Sequence, residues 1–266
     1  MLEAVTLHAE ILWPALLAGL LVLSTHIPLG QEVLNRGIIF LDLAIAQVAA
    51  FGLILAGSLG LGDHGDHAAL WQKTIAMGAA IIGAMILYQF HRLEARIQEA
   101  LIGILFMLAA TGSMLLLTHD PHGGERLKAL LVGQILWVQP IELLGTGMIY
   151  ALILTIWFTL RERLGGWVFY PLFAVTITLS TQLVGVYLVF ASLIIPALAT
   201  LRLAKPLLPA YLLGIIAYVI GLVLSAYFDL PSGAMIALCL AITAIIYGLV
   251  FRRYSVAPSQ VGQQCK

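Results

Sequence analysis

Carboxylate, imidazole and amide side chains are scarce inside the apolar stretches of this chain, and the few present are where any chemistry would be done. Asp42 comes first, about one turn into the stretch that begins at Ile38. An ionisable group is costly there unless it faces a cavity or a partner. It reads either as a cation ligand or proton site, or as a helix-start carboxylate bonded to nearby hydroxyls or amides. Gln47 follows on the same stretch. At about 100° per residue it points roughly 140° away from Asp42, so the two make no same-face ligand pair. Ile45 and Ala46, on the face of Asp42, bind nothing. Gln47 reads as a polar lining group or as a bridge between helices. His26 precedes Ile27-Pro28 at the expected end of the first apolar stretch. There it would approach Arg36 or Asp42, or cap the helix.

Two connections hold further donors. Asp63-His64-Gly65-Asp66-His67 repeats an Asp-His pair, and His119, Asp120, His122 and Glu125 surround Pro121 and Gly123-Gly124. Imidazole and carboxylate suit zinc, copper or nickel. His64, His67, His122 and Asp120 are therefore expected as an outer capture region for metal, against the plainer reading of solvated loops. No G-x-x-x-x-G-K-[ST], H-E-x-x-H, G-x-S-x-G or C-x-x-C occurs. An intramembrane enzyme needs a second catalytic group at depth, and Asp42 has none, so no catalytic residue is expected.

The elements that must position these groups follow from composition. Of 266 residues, 62% are hydrophobic and 10% charged, too little polar surface for a soluble domain. The net charge of zero gives no case for nucleic-acid binding. Cys239 and Cys265 imply no disulfide framework. The first stretch lacks a basic leader region and reads as a span.

Apolar blocks of bilayer-crossing length run Ile11–Leu29, Ile38–Leu59, Leu70–Phe90, Leu101–Leu117, Ile141–Leu160, Trp167–Thr181, Gly185–Leu201, Leu207–Phe228 and Ala234–Phe251. Ala129–Val138 is too short to cross and is expected to be re-entrant or interfacial. Arg36, Arg92 with Arg96, Arg161 with Arg163, Arg202 with Lys205, and Arg252 with Arg253 fall in connections or at block ends. The positive-inside rule puts all five clusters in the cytoplasm. The chain must then cross twice between Arg163 and Arg202, by two short helices turning near Gln182–Gly185. The expectation is an all-α polytopic transmembrane bundle of eight or nine spans: a single domain over residues 1–253, then a disordered cytoplasmic tail over 254–266. Pro196 lies within a span and is expected to kink it beside a cavity.

Four stretches, in order, resemble the permease subunits of zinc- and manganese-type ATP-binding-cassette importers. They are Pro28-Leu29-Gly30 through Arg36, Glu99-Ala100-Leu101-Ile102-Gly103 leading to Leu131-Val132-Gly133-Gln134-Ile135-Leu136, Val184-Gly185-Val186-Tyr187-Leu188 through Ser192 to Ala197, and Ser225 through Gly233. The resemblance implies a multi-pass subunit in the cell (inner) membrane, and the basic clusters put its C-terminus in the cytoplasm. It implies a divalent metal as substrate and no cofactor bound by this chain. The partners would be a separate ATPase, a solute-binding protein and a second copy of the chain. Asp42, Gln47 and His26 would then line the path, with Asp42 as the metal-facing carboxylate. The chain departs from that family in two places. An ungapped match puts Leu43 and Gln47 where the family carries an Asp and a His four residues apart. The segment after Arg161-Glu162-Arg163, where the family seats its ATPase, is shorter by about one helix. The resemblance thus leaves a second reading: a family-derived scaffold, or a transporter subunit that runs without ATP.

Overall fold

The computed structural model describes residues 2–60, 68–118, 120–133 and 135–251; the expected tail and the 63–67 donors His64 and His67 lie outside them. Among these residues there are ten α-helices and no strand. They are α1 (Leu2–Arg36), α2 (Leu41–Ser58), α3 (Ala68–Gln89), α4 (Ala95–Leu117), α5 (Gly123–Val132), α6 (Pro140–Leu164), α7 (Phe169–Val184), α8 (Val186–Thr200), α9 (Leu207–Phe228) and α10 (Ser232–Phe251). Eight are long and apolar enough to cross a membrane, α7 when taken together with the 3-10 turn that leads into it from Gly166. The ninth apolar helix, α8, has only 15 residues, about 22 Å of rise against a hydrocarbon core of about 30 Å.

The interior is built from α1, α2, α7 and α8, with Tyr150 from α6 and Tyr218 from α9 also fully buried. α4, α6 and α10 turn most of their apolar surface outward, as spans facing lipid do. Close approach of helices relies on small residues. A Cβ on Gly19 would enter the Tyr218 ring, and one on Gly30 would enter the Leu193 carbonyl.

The first span does not end at Leu29. Helix α1 continues through Pro28 to Arg36, so His26 lies inside a helix and caps nothing. Proline has no N–H to give the carbonyl four residues back. That carbonyl, Ser24 O, instead accepts from the Tyr211 hydroxyl of α9 at 2.8 Å. At the end of α1, Arg36 bonds Glu32 at 2.8 Å and the Gly166 carbonyl at 3.3 Å. Its guanidinium also lies 4.4 Å from the centre of the Phe169 ring.

The segment expected to be re-entrant is two pieces, α5 and a single 3-10 turn over Ile135–Trp137, broken at Gly133. Ile135 is buried in the core while Trp137 is exposed. Gly133 and Gly185 both have positive φ, +71° and +83°. A Cβ on Gly185 would strike the backbone of Val132 and Gly133, and one on Gly133 would strike that of Val184. A Cβ on Gly233 would come within 2.6 Å of the Val132 carbonyl oxygen. Three glycines thus let the end of α5, the α7–α8 turn and the start of α10 meet backbone to backbone. Between α6 and α7 there is only Gly165, at φ +83°, and one 3-10 turn over Gly166–Val168.

Candidate translocation site

Helix α2 carries the groups singled out by type and presents them on two faces. Its start is set by the tight turn at Gly37 (φ +70°), with Ile38 N–H on the Val33 carbonyl and Leu41 N–H on the Ile38 carbonyl, each at 3.2 Å. Asp42 follows in the first helical turn and is 1% exposed. Neither of its carboxyl oxygens has a hydrogen-bond partner of good geometry, although the backbone of Asp42 and Leu43 lies against them. The first turn of a helix favours an anion, which accounts for a carboxyl at this position but leaves its oxygens without partners.

The charged neighbour of Asp42 is Glu99, near the start of α4. Glu99 Oε1 accepts the Phe40 N–H at 3.1 Å and so ties α4 to the turn before α2. Its Oε2 is buried with no partner. Residue-type reasoning did not single out Glu99. The available signal was a second carboxylate at the start of a span on the same membrane side as Asp42.

Gln47 lies on the other face. With Leu43, four residues earlier, it lines a cavity of about 480 Å³ between α2, α4, α5 and α8. Phe106, Thr111, Tyr187 and Phe190 complete most of its wall. Asp42 is not on this wall, in keeping with the angle between the two side chains. The stripe of α2 that continues from Asp42 is Ala46, Ala49 and Ala50, and it borders a void of about 10 Å³. That is at the lower limit for a single water. The Gln47 face of α2 is therefore open at mid-helix, while the Asp42 face is closed around Asp42 and Ala46 and reaches open space only at Leu53, one turn beyond Ala50.

His26 is fully buried. Its Nδ1 stands 2.9 Å from the Val22 carbonyl and 3.3 Å from Thr25 Oγ1, and its Nε2 has no partner. An Nδ1–H donating to the carbonyl leaves Nε2 as a free acceptor. The surrounding polar layer joins helices: the Tyr150 hydroxyl meets Ser180 Oγ and donates to the Thr176 carbonyl, and the Tyr218 hydroxyl meets Ser192 Oγ at 2.8 Å. Pro196 is buried in α8 and borders none of the cavities described here.

In the second loop, His122 and Asp120 are engaged locally. Asp120 accepts the His122 N–H at 2.9 Å and pairs with Arg126 at 3.1 Å, while His122 stands 3.5 Å from Glu125. Among the described residues no three His, Cys, Asp or Glu side chains are grouped to hold a metal ion.

The chain matches the description of the ABC 3 transport family over residues 8–171 and 160–251. It is 28% identical over 241 residues to the manganese transport system membrane protein MntC of Halalkalibacterium halodurans, covering 78% of this chain and 82% of that protein. It is 24% identical over 262 residues to the high-affinity zinc uptake system membrane protein ZnuB of Haemophilus influenzae, covering 89% and 96%. Among solved structures, PsaBC from Streptococcus pneumoniae in complex with Fab superposes with a TM-score of 0.70 at 22% identity, over 94% of this chain and 93% of that one.

Proposed function

Because the chain belongs to the ABC 3 transport family, we propose that it is the membrane subunit of an ATP-binding-cassette importer whose cargo is a divalent metal ion, zinc or manganese. The observation that carries this reading is the match over nearly the whole chain to a family whose relatives MntC and ZnuB are named for manganese transport and zinc uptake. In this reading the chain does no chemistry and binds no cofactor. A separate ATPase hydrolyses ATP, a solute-binding protein delivers the ion, and two copies of the chain pair around the path. The subunit is multi-pass in the cell (inner) membrane, with its tail in the cytoplasm.

The path follows α2. Gln47 offers one neutral amide oxygen to the open cavity, and Leu43 beside it offers none. Such a wall holds a transition metal weakly, which suits passage more than storage. Asp42, buried near the start of the helix, supplies the negative charge and meets the ion when the packing around it opens. His26, whose Nε2 is without a partner, is the third polar group assigned to the path. Capture of the ion ahead of the path is assigned to His64, His67, His122 and Asp120.

Uptake of radiolabelled zinc and manganese into cells lacking and carrying the chain tests this. Gln47→Ala and Asp42→Ala are each expected to lower uptake several-fold at equal expression. Full uptake in both variants would move the path away from α2.

One observation favours a second reading. The α6–α7 connection is a single 3-10 turn with no helix of its own, and this supports a scaffold or an ATP-independent transporter. Co-purification from the native membrane separates the two readings. An ATPase that elutes with the chain supports the importer, and its repeated absence supports the alternative.

A further inference from the structure

A cavity of about 730 Å³ lies in a cleft between α3 and α6, with α7 as its floor and α5 at one end. Helix α3 packs on α2 and α7, and α6 packs on α1 and α7. Across the gap between them Lys73 Nζ meets Glu142 Oε1 at 3.2 Å, both side chains about half exposed. Glu142 sits in the first turn of α6 and Lys73 in the second turn of α3, where their ion pair brings the two helix starts together. Trp71 and Trp137 are 64% and 77% exposed beside them. Exposed tryptophans and paired charges belong at the headgroup level of a bilayer. The rest of the lining is mostly apolar, with Leu53, Ile149, Leu179 and Leu183 beside Thr146, Thr181 and Gln182, and Ile149 lies about 10 Å along α6 from Glu142.

We propose that this cleft is a binding site for a phospholipid with a zwitterionic, amine-bearing headgroup, with one acyl chain lying between α3 and α6. Lys73 meets the lipid phosphate and Glu142 meets its ammonium, so the two charges that pair across the cleft each find a counter-charge on the headgroup. Gln72 adds amide donors on the same rim. The acyl chain itself supplies little preference, because lipid tails are as apolar as leucine and no hydrophobic drive separates the cleft from the bilayer. Selectivity must come from the headgroup, and an anionic lipid would set its net charge against Glu142.

Native mass spectrometry of the full chain, purified in mild detergent and reloaded from phosphatidylethanolamine or phosphatidylglycerol vesicles, tests the site. The wild-type chain is expected to retain one phosphatidylethanolamine and to prefer it to phosphatidylglycerol. Gly145 lines the cleft, and a Cβ there meets nothing within 4 Å. Gly145→Leu should therefore fill the cleft and cut retention about tenfold. Gly248→Leu adds the same bulk on the exposed face of α10 and should retain lipid as the wild type does. The double variant Lys73→Ala, Glu142→Ala should keep some lipid but lose the headgroup preference. No retained lipid in the wild type, or equal retention with Gly145→Leu, overturns the proposal. So does a membrane polypeptide crosslinked at Gly145→Cys in place of lipid.

Discussion

Tyr211 shows how a single hydroxyl can keep a broken helix continuous. The Ser24 carbonyl freed by Pro28 sits at membrane depth, where an unsatisfied backbone group is expensive, and Tyr211 supplies the missing donor from α9. Tyr211→Phe removes only that oxygen and is expected to destabilise the bundle by about 1 kcal/mol, read as a lowered thermal midpoint in detergent. From sequence alone Pro28 reads as the end of a span, because no donor for the Ser24 carbonyl is visible there. For α2, helical geometry sufficed to separate Asp42 from Gln47. It could not say which face met open space, since that depends on α4, α5 and α8, all distant in the chain. The pair Leu43 and Gln47, four residues apart on the cavity wall, also invites a gain-of-binding test. Leu43→Asp with Gln47→His puts a carboxylate and an imidazole on one face. The purified double variant should bind zinc at least tenfold more tightly than the wild type, measured by metal content after dialysis.

At the scale of elements, α7 and α8 were legible because charge parity required two crossings between Arg163 and Arg202. Their turn falls at Gly185, within the expected Gln182–Gly185. What the sequence did not reveal was the seat of that turn, made by backbone from α5 and the start of α10. Gly185 has φ +83° and ψ 159°, a region open essentially to glycine alone and costing other residues about 1–3 kcal/mol. Gly185→Ala adds to this a collision with the Val132–Gly133 backbone. Little folded protein is expected on size-exclusion chromatography. Gly57→Ala, where a Cβ meets nothing within 4 Å, should behave as wild type. Full recovery of Gly185→Ala would mean that the contact is looser than described.

For the whole molecule, hydrophobic block length and the position of basic residues were enough to read an all-α membrane bundle of eight or nine spans, and the structure has eight long apolar helices and the short α8. The exact ends were not readable: α1 and α6 both run on beyond the apolar blocks, and at the end of α1 the Arg36 guanidinium is received by the Phe169 ring. The orientation is testable in intact cells carrying a Cys265→Ser background. Arg96→Cys and Arg202→Cys should be labelled by an impermeant thiol reagent only after the membrane is opened, and His122→Cys without opening it. The reverse pattern would invert the topology. The meeting of Gly133, Gly185 and Gly233 has a last consequence, for the order in which the chain is made. The seat of the α7–α8 turn is half built from residues synthesised before it and half from residues synthesised after. Until Gly233 has been made and inserted, that hairpin rests on the end of α5 alone and its α10 side stays uncovered. A chain truncated between Thr200 and Gly233 and released should therefore be a species that membrane quality-control proteases recognise at that turn.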